Sequence, residues 1–103
     1  MPSILAPSAD NEGMPAPDTL HFVYMVRCAD GTLYTGYARD PERRADVHNR
    51  GRGAKYTASR LPVSLVFSEA CGSRSDALKR EHQLKRLSRT DKERLVHETK
   101  ATR

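Results

Sequence analysis

The chain of 103 residues is long enough for one small domain, with 37% hydrophobic residues, no Trp and a formal net charge of +5. No apolar run approaches the length that spans a bilayer, and the N-terminus lacks the basic start and apolar stretch of a secretory signal, so a cytoplasmic protein is expected. Cys28 and Cys71, the only two cysteines, are too few for a disulfide framework and lack metal-ligand spacing; reduced thiols are expected.

The charge is uneven. Residues 1–20 hold Asp10, Glu12 and Asp18 and no Lys or Arg, so the remainder carries all 18 basic residues against 10 acidic ones, a balance of +8. A small domain this basic points to a polyanionic partner, of which nucleic acid is the commonest. Residues 1–20 also contain four of the six prolines and no helical or strand period. They are expected to be a disordered leader, with the folded domain covering residues 21–100.

Along the domain, "HFVYMVRCADGTLYTGYA" alternates, with Phe22, Tyr24, Val26 and Cys28 on one face and Val23, Met25 and Arg27 on the other. The Asp-Gly pair in its middle predicts a β-hairpin. "RDPERRADVHNRG" predicts a short helix capped by Asp40, with Pro41 at its first position and Gly51 as its stop. "RGAKYTASRLP" reads as a basic loop, and "VSLVFSEAC" as a third strand. "SRSDALKREHQLKRLS" predicts a longer helix capped by Ser73 or Ser75. "TDKERLVHE" predicts a last helix opened by a Thr90-x-x-Glu93 capping box. The order ββαβαα implies an α+β domain, a three-stranded antiparallel sheet flanked by helices.

Certain residues stand out from this pattern. Ala77, Leu78, Leu84 and Leu87 form the apolar stripe of the long helix, and Glu81 lies inside it. A carboxylate there needs a cation, either as an ion pair with Lys85 or an Arg, or as a metal ligand. Arg44 and His48, four apart, share a face of the short helix. Tyr24 and Tyr34 lie on paired strands where their hydroxyls can converge, and Gly36 leaves a gap for close approach.

Together these elements resemble the GIY-YIG nuclease superfamily, in its small stand-alone bacterial branch, which is also similar to the nuclease domain of the bacterial excinuclease. "FVY" (22–24), "YTG" (34–36), Arg44 and His48 on a helix, "KYT" (55–57) and "ALKRE" ending at Glu81 carry the likeness over about residues 21–90. Phe22 and Val23 replace the glycine and isoleucine of the first motif, and Thr35 replaces the second isoleucine.

The resemblance implies a Mg²⁺-dependent endonuclease of DNA, with Mn²⁺ as a substitute ion and no small-molecule cofactor, acting as a monomer in DNA repair or processing. It makes Tyr24, Tyr34, Arg44 and His48 the catalytic residues, with Tyr24 as the base, and Glu81 the single metal-binding carboxylate. One carboxylate with waters and substrate phosphate suits Mg²⁺. Tyr24 can serve as a base near neutral pH only if Arg44, the metal or both lower its pKa. Gly36, Arg50, Arg52, Lys55, Tyr56, Arg60 and Lys85 are the expected nucleic-acid contacts, while Tyr37 is expected to be ordinary sheet. The competing reading is a basic nucleic-acid-binding module on the same fold that does not cut.

Overall fold

The computed structural model describes residues 20–101, with side chains as far as residue 98. The expected leader lies outside the described residues except for Leu20, whose carbonyl accepts a hydrogen bond from Arg39 Nε at 2.7 Å.

Alternation and turn chemistry shape the hairpin of β1 (His21–Arg27) and β2 (Leu33–Ala38). At the turn, Asp30 Oδ1 accepts from the backbone N–H and hydroxyl of Thr32, at 3.1 and 2.6 Å. The strand β3 (Ser64–Cys71) adds on the other side of β1, giving one antiparallel sheet of order β2-β1-β3. β1 is therefore central and buried on both faces. Tyr24, Val26 and Cys28 pack with Ala45 of helix α1 (Pro41–Asn49). Val23 and Met25 pack with Ala77 and Leu84 of helix α3 (Arg74–Lys85) and Val96 of helix α4 (Arg89–Ala101). The architecture is the expected three-stranded antiparallel sheet flanked by helices.

The expected loop after α1 contains one more helix, α2 (Lys55–Ala58), four residues long and without a side-chain cap. It is too short to show a period and carries no capping signal. The α1 signals hold: Asp40 accepts from Arg43 N at 3.1 Å, Pro41 opens the helix and Gly51 leaves it at φ +78°. Ser73, not Ser75, caps α3, accepting from Asp76 N at 3.0 Å.

Two local expectations are corrected. The Thr90-x-x-Glu93 capping box does not form; Ser88 Oγ accepts from Asp91 N at 3.1 Å and starts α4 two residues earlier. Glu93 instead receives a two-pronged bond from Arg27 (2.9 and 2.6 Å), a charged fork that ties the end of β1 to α4. Leu78, placed in the buried stripe, is 41% exposed. Ala77, Glu81 and Leu84 fall on the ridge that faces the sheet, and Leu78 is one residue, about 100° of helix, off that ridge.

Candidate active site

The site begins with the register of the hairpin. Tyr24 pairs with Gly36 and Val26 with Tyr34, so both tyrosines project from the same face of the sheet, toward α1. Tyr24 is fully buried. A Cβ on Gly36 would sit 2.6 Å from the Tyr24 hydroxyl, so the gap expected to admit a ligand is filled by Tyr24 itself.

α1 brings His48 and Arg44 to the same place, four residues apart on one face as their spacing requires. His48 Nε2 is 2.8 Å from the Tyr24 hydroxyl, and the Tyr34 ring meets the imidazole edge-on at 5.3 Å between centroids. Arg44 lies near enough to Tyr24 to pull its pKa down, and no carboxylate pairs with Arg44 among the described residues. Burial raises the Tyr24 phenol above its ordinary pKa and outweighs the opposing pull of Arg44; the nearby charges of Tyr34 and Glu81 push the same way as burial. The lowering by Arg44 that base chemistry would need is present but is not sufficient by itself. Burial, and secondarily the charge of Arg44, lowers the His48 pKa and keeps the imidazole neutral.

Glu81 reaches the site from the opposite layer. It sits on the sheet-facing ridge of α3 with its side chain 17% exposed, and its Oε2 lies 3.0 Å from Lys85 Nζ. The ion pair expected from the helix alone is therefore formed, in the favoured Glu-then-Lys order. The pair leaves Lys85 half-exposed, so its ammonium is not locked in place by burial. Among the described residues no three His, Cys, Asp or Glu side chains cluster as an all-protein metal cage. A lone, half-buried carboxylate fits a hard cation that keeps most of its waters and takes substrate phosphate for the rest.

The two layers meet at the β2 edge. A cleft of about 280 Å³ there is lined by Leu33, Tyr34, Thr35, Tyr56, Lys85 and Lys92, and Arg44 lines a second cleft of about 340 Å³ near the start of α1. Tyr56 stacks on Tyr34 at 6.0 Å with ring planes 20° apart. Arg50, Arg52 and Lys55 are exposed and make no ion pair among the described residues. Arg60 differs from them. Its guanidinium lies 3.9 Å over the Tyr56 ring, donates to Tyr56 O at 2.7 Å and pairs with Asp30 at 3.0 Å, which pins α2 to the hairpin turn. Tyr37 faces the α3 side, where its hydroxyl meets His21 Nδ1 at 2.8 Å.

Gly53, Ala54, Thr57 and Lys92 were not legible as parts of this site. A Cβ on Gly53 would collide with His48 Nδ1, and Thr57, fully buried, has its Oγ1 2.7 Å from that nitrogen. The nearest hint in the sequence was a glycine-bearing loop followed by "KYT" directly after the helix that carries His48.

Residues 20–94 match the GIY-YIG catalytic domain. The chain is 55% identical over 78 residues to the UPF0213 protein of Staphylococcus aureus strain Mu3, covering 76% of this chain and 95% of that one. The solution NMR structure of the UPF0213 protein BH0048 from Bacillus halodurans is similar at a TM-score of 0.50 and 46% identity, over 76% of this chain and 83% of that one. The solution NMR structure of the protein EF2693 from E. faecalis is similar at a TM-score of 0.53 and 39% identity, over 80% and 88% of the two chains.

Proposed function

This chain belongs to the GIY-YIG family, a catalytic domain of nucleases, and from that premise we propose that it is a Mg²⁺-dependent endonuclease hydrolysing phosphodiester bonds in DNA. The observation that carries the proposal is the convergence of the buried Tyr24–His48 pair, an Arg44 with no carboxylate partner among the described residues and a half-buried Glu81 on one basic domain. A module that only bound nucleic acid would gain nothing from a carboxylate beside the phosphate, which it repels unless a cation intervenes.

Hydrolysis needs an activated water, a neutralised phosphate and an assisted leaving oxygen. Tyr24 takes the proton of the attacking water. Arg44, planar and permanently charged, grips the non-bridging oxygens of the phosphate as a fork. Tyr34 positions the water or the phosphate, and its contact with His48 fixes its ring. A divalent cation held by Glu81 supplies, when bound, the further positive charge that Tyr24 needs in order to ionise and that the leaving 3′-oxygen needs in order to depart. Arg50, Arg52 and Lys55 hold the backbone on either side of the cut. Phosphate contacts of this kind carry no sequence information, which supports structure-selective or weakly sequence-selective cutting, in DNA repair or processing. No described helix is long and apolar enough to cross a membrane.

The test is supercoiled plasmid incubated with the protein and Mg²⁺, an EDTA control beside it. Nicking is expected with Mg²⁺ alone, and its loss in Tyr24→Phe and Arg44→Ala. A folded protein that binds DNA without nicking it would leave the non-cutting module as the better reading.

A further inference from the structure

The turn that follows α1 holds His48 from behind. Three groups crowd its Nδ1: the Thr57 hydroxyl at 2.7 Å, the Ala54 backbone N–H at 3.3 Å and the backbone of Gly53, which leaves no room for a side chain. Its Nε2 faces the Tyr24 hydroxyl at 2.8 Å. A neutral imidazole donates through one nitrogen and accepts through the other, so the groups around Nδ1 decide which way the bond to Tyr24 runs.

With the proton on Nδ1, that N–H would donate to Thr57 and Tyr24 would donate to Nε2. The Ala54 N–H would then point at another N–H, with no acceptor. With the proton on Nε2, Thr57 and Ala54 both donate to Nδ1, and Nε2–H donates to the Tyr24 oxygen. Thr57 can also reach the Ala54 carbonyl at 2.9 Å, but that carbonyl already accepts from Ala58 N at 3.1 Å and does not need the hydroxyl. The second arrangement is the one that gives an acceptor to the Ala54 N–H, which the backbone holds in place, whereas the Thr57 and Tyr24 hydroxyls can turn.

We propose that Thr57, with the Ala54 N–H, is a positioning residue that fixes His48 in its Nε2–H form, so that the imidazole donates to Tyr24 instead of accepting its proton. The Tyr24 oxygen then accepts from His48, with the positive charge of Arg44 nearby, and its own proton points away from His48. In catalysis His48 steadies the phenolate instead of draining it. That consequence rests on Tyr24 being the base; the tautomer stands on geometry alone.

The experiment is long-range proton–nitrogen NMR correlation of the histidine rings in the nitrogen-15-labelled full chain, for wild type, Thr57→Val and Thr57→Ser, with plasmid-nicking kinetics on the same samples. A single Nε2–H form of His48 is expected in the wild type. Thr57→Val removes the stronger donor and should give mixed tautomers and a kcat lower by roughly 10–100-fold at unchanged KM, while Thr57→Ser restores both. An Nδ1–H form in the wild type overturns the proposal and needs no variant to fold. An unaltered tautomer or an unaltered kcat in folded Thr57→Val overturns the part assigned to Thr57. A wild type that does not cut but shows the Nε2–H form, lost in Thr57→Val, refutes the nuclease reading and supports this one.

Discussion

Tyr24 and Gly36 face each other across the β1–β2 ladder, and the tyrosine hydroxyl fills the space that a side chain on Gly36 would need. Gly36→Ala puts a methyl 2.6 Å from that hydroxyl and must push the ring away from His48. Overpacking of this kind costs about 1–3 kcal/mol, so the variant should still fold. Cleavage should fall by about 100-fold, since misplacing a catalytic group by an ångström has that effect. Melting and plasmid nicking on one preparation check both halves; wild-type nicking would mean that the position of Tyr24 is unimportant.

Glu81→Gln separates structure from chemistry. Its partner Lys85 is half-exposed, so the lost ion pair should change stability by less than about 1 kcal/mol. The wild type should melt at a higher temperature when Mg²⁺ is added, and the variant should show no such rise, because the carboxylate proposed to hold the ion is gone. Nicking should drop by several orders of magnitude. Full activity in a stably folded Glu81→Gln protein would remove Glu81 from the site.

The basic residues divide into two groups by what already holds them. Replacing Arg52 and Lys55 together should make the log–log salt dependence of duplex binding shallower by roughly two, with similar losses on unrelated sequences. Replacing Arg60 should leave that slope nearly unchanged and lower the melting temperature by a few degrees, since its guanidinium is committed to Tyr56 and Asp30. A salt slope that responds to Arg60 as it does to Arg52 would show that the guanidinium leaves Tyr56 to meet phosphate.

Stability should depend on pH at both ends of the range. His48 has a lowered pKa when folded, so the unfolded chain takes up its proton first as pH falls below about 6.5, and stability should decline there. Tyr24 has a raised pKa when folded, so the unfolded chain loses that proton first, and stability should decline as pH rises past about 10. Melting temperature against pH, compared with Tyr24→Phe, checks the alkaline limb. An identical alkaline decline in the variant would assign it to other groups.

The sheet and the three longer helices were legible because each rests on a strong local rule: alternation, Asp-Gly turn chemistry and caps. Tyr24 with Tyr34, and Arg44 with His48, were legible as two separate pairs, by strand pairing and by four-residue helical spacing, and only the family resemblance joined them. Glu81 was legible as a misfit in an apolar stripe. What escaped was set by contacts distant in sequence. Leu78 satisfied the same apolar period as Ala77, and only the docking angle of α3 decides which of them is covered. Glu93 looked like a capping residue until the fold brought Arg27 beside it. Gly53 carries no signature of its own and Thr57 only a place in "KYT", which does not say that both touch a ring nitrogen on another helix.

Tyr24 lies on the first strand of the hairpin, and Glu81 on a helix that packs against the far face of the sheet. During synthesis the ribosome releases the tyrosines, the arginine and the histidine well before α3 has emerged. A chain stopped short of α3, or clipped in the turn before it, has one half of the site and lacks the other. If the chain is the nuclease proposed above, cutting would have to wait until α3 has docked, because neither part alone holds both the tyrosines and the carboxylate.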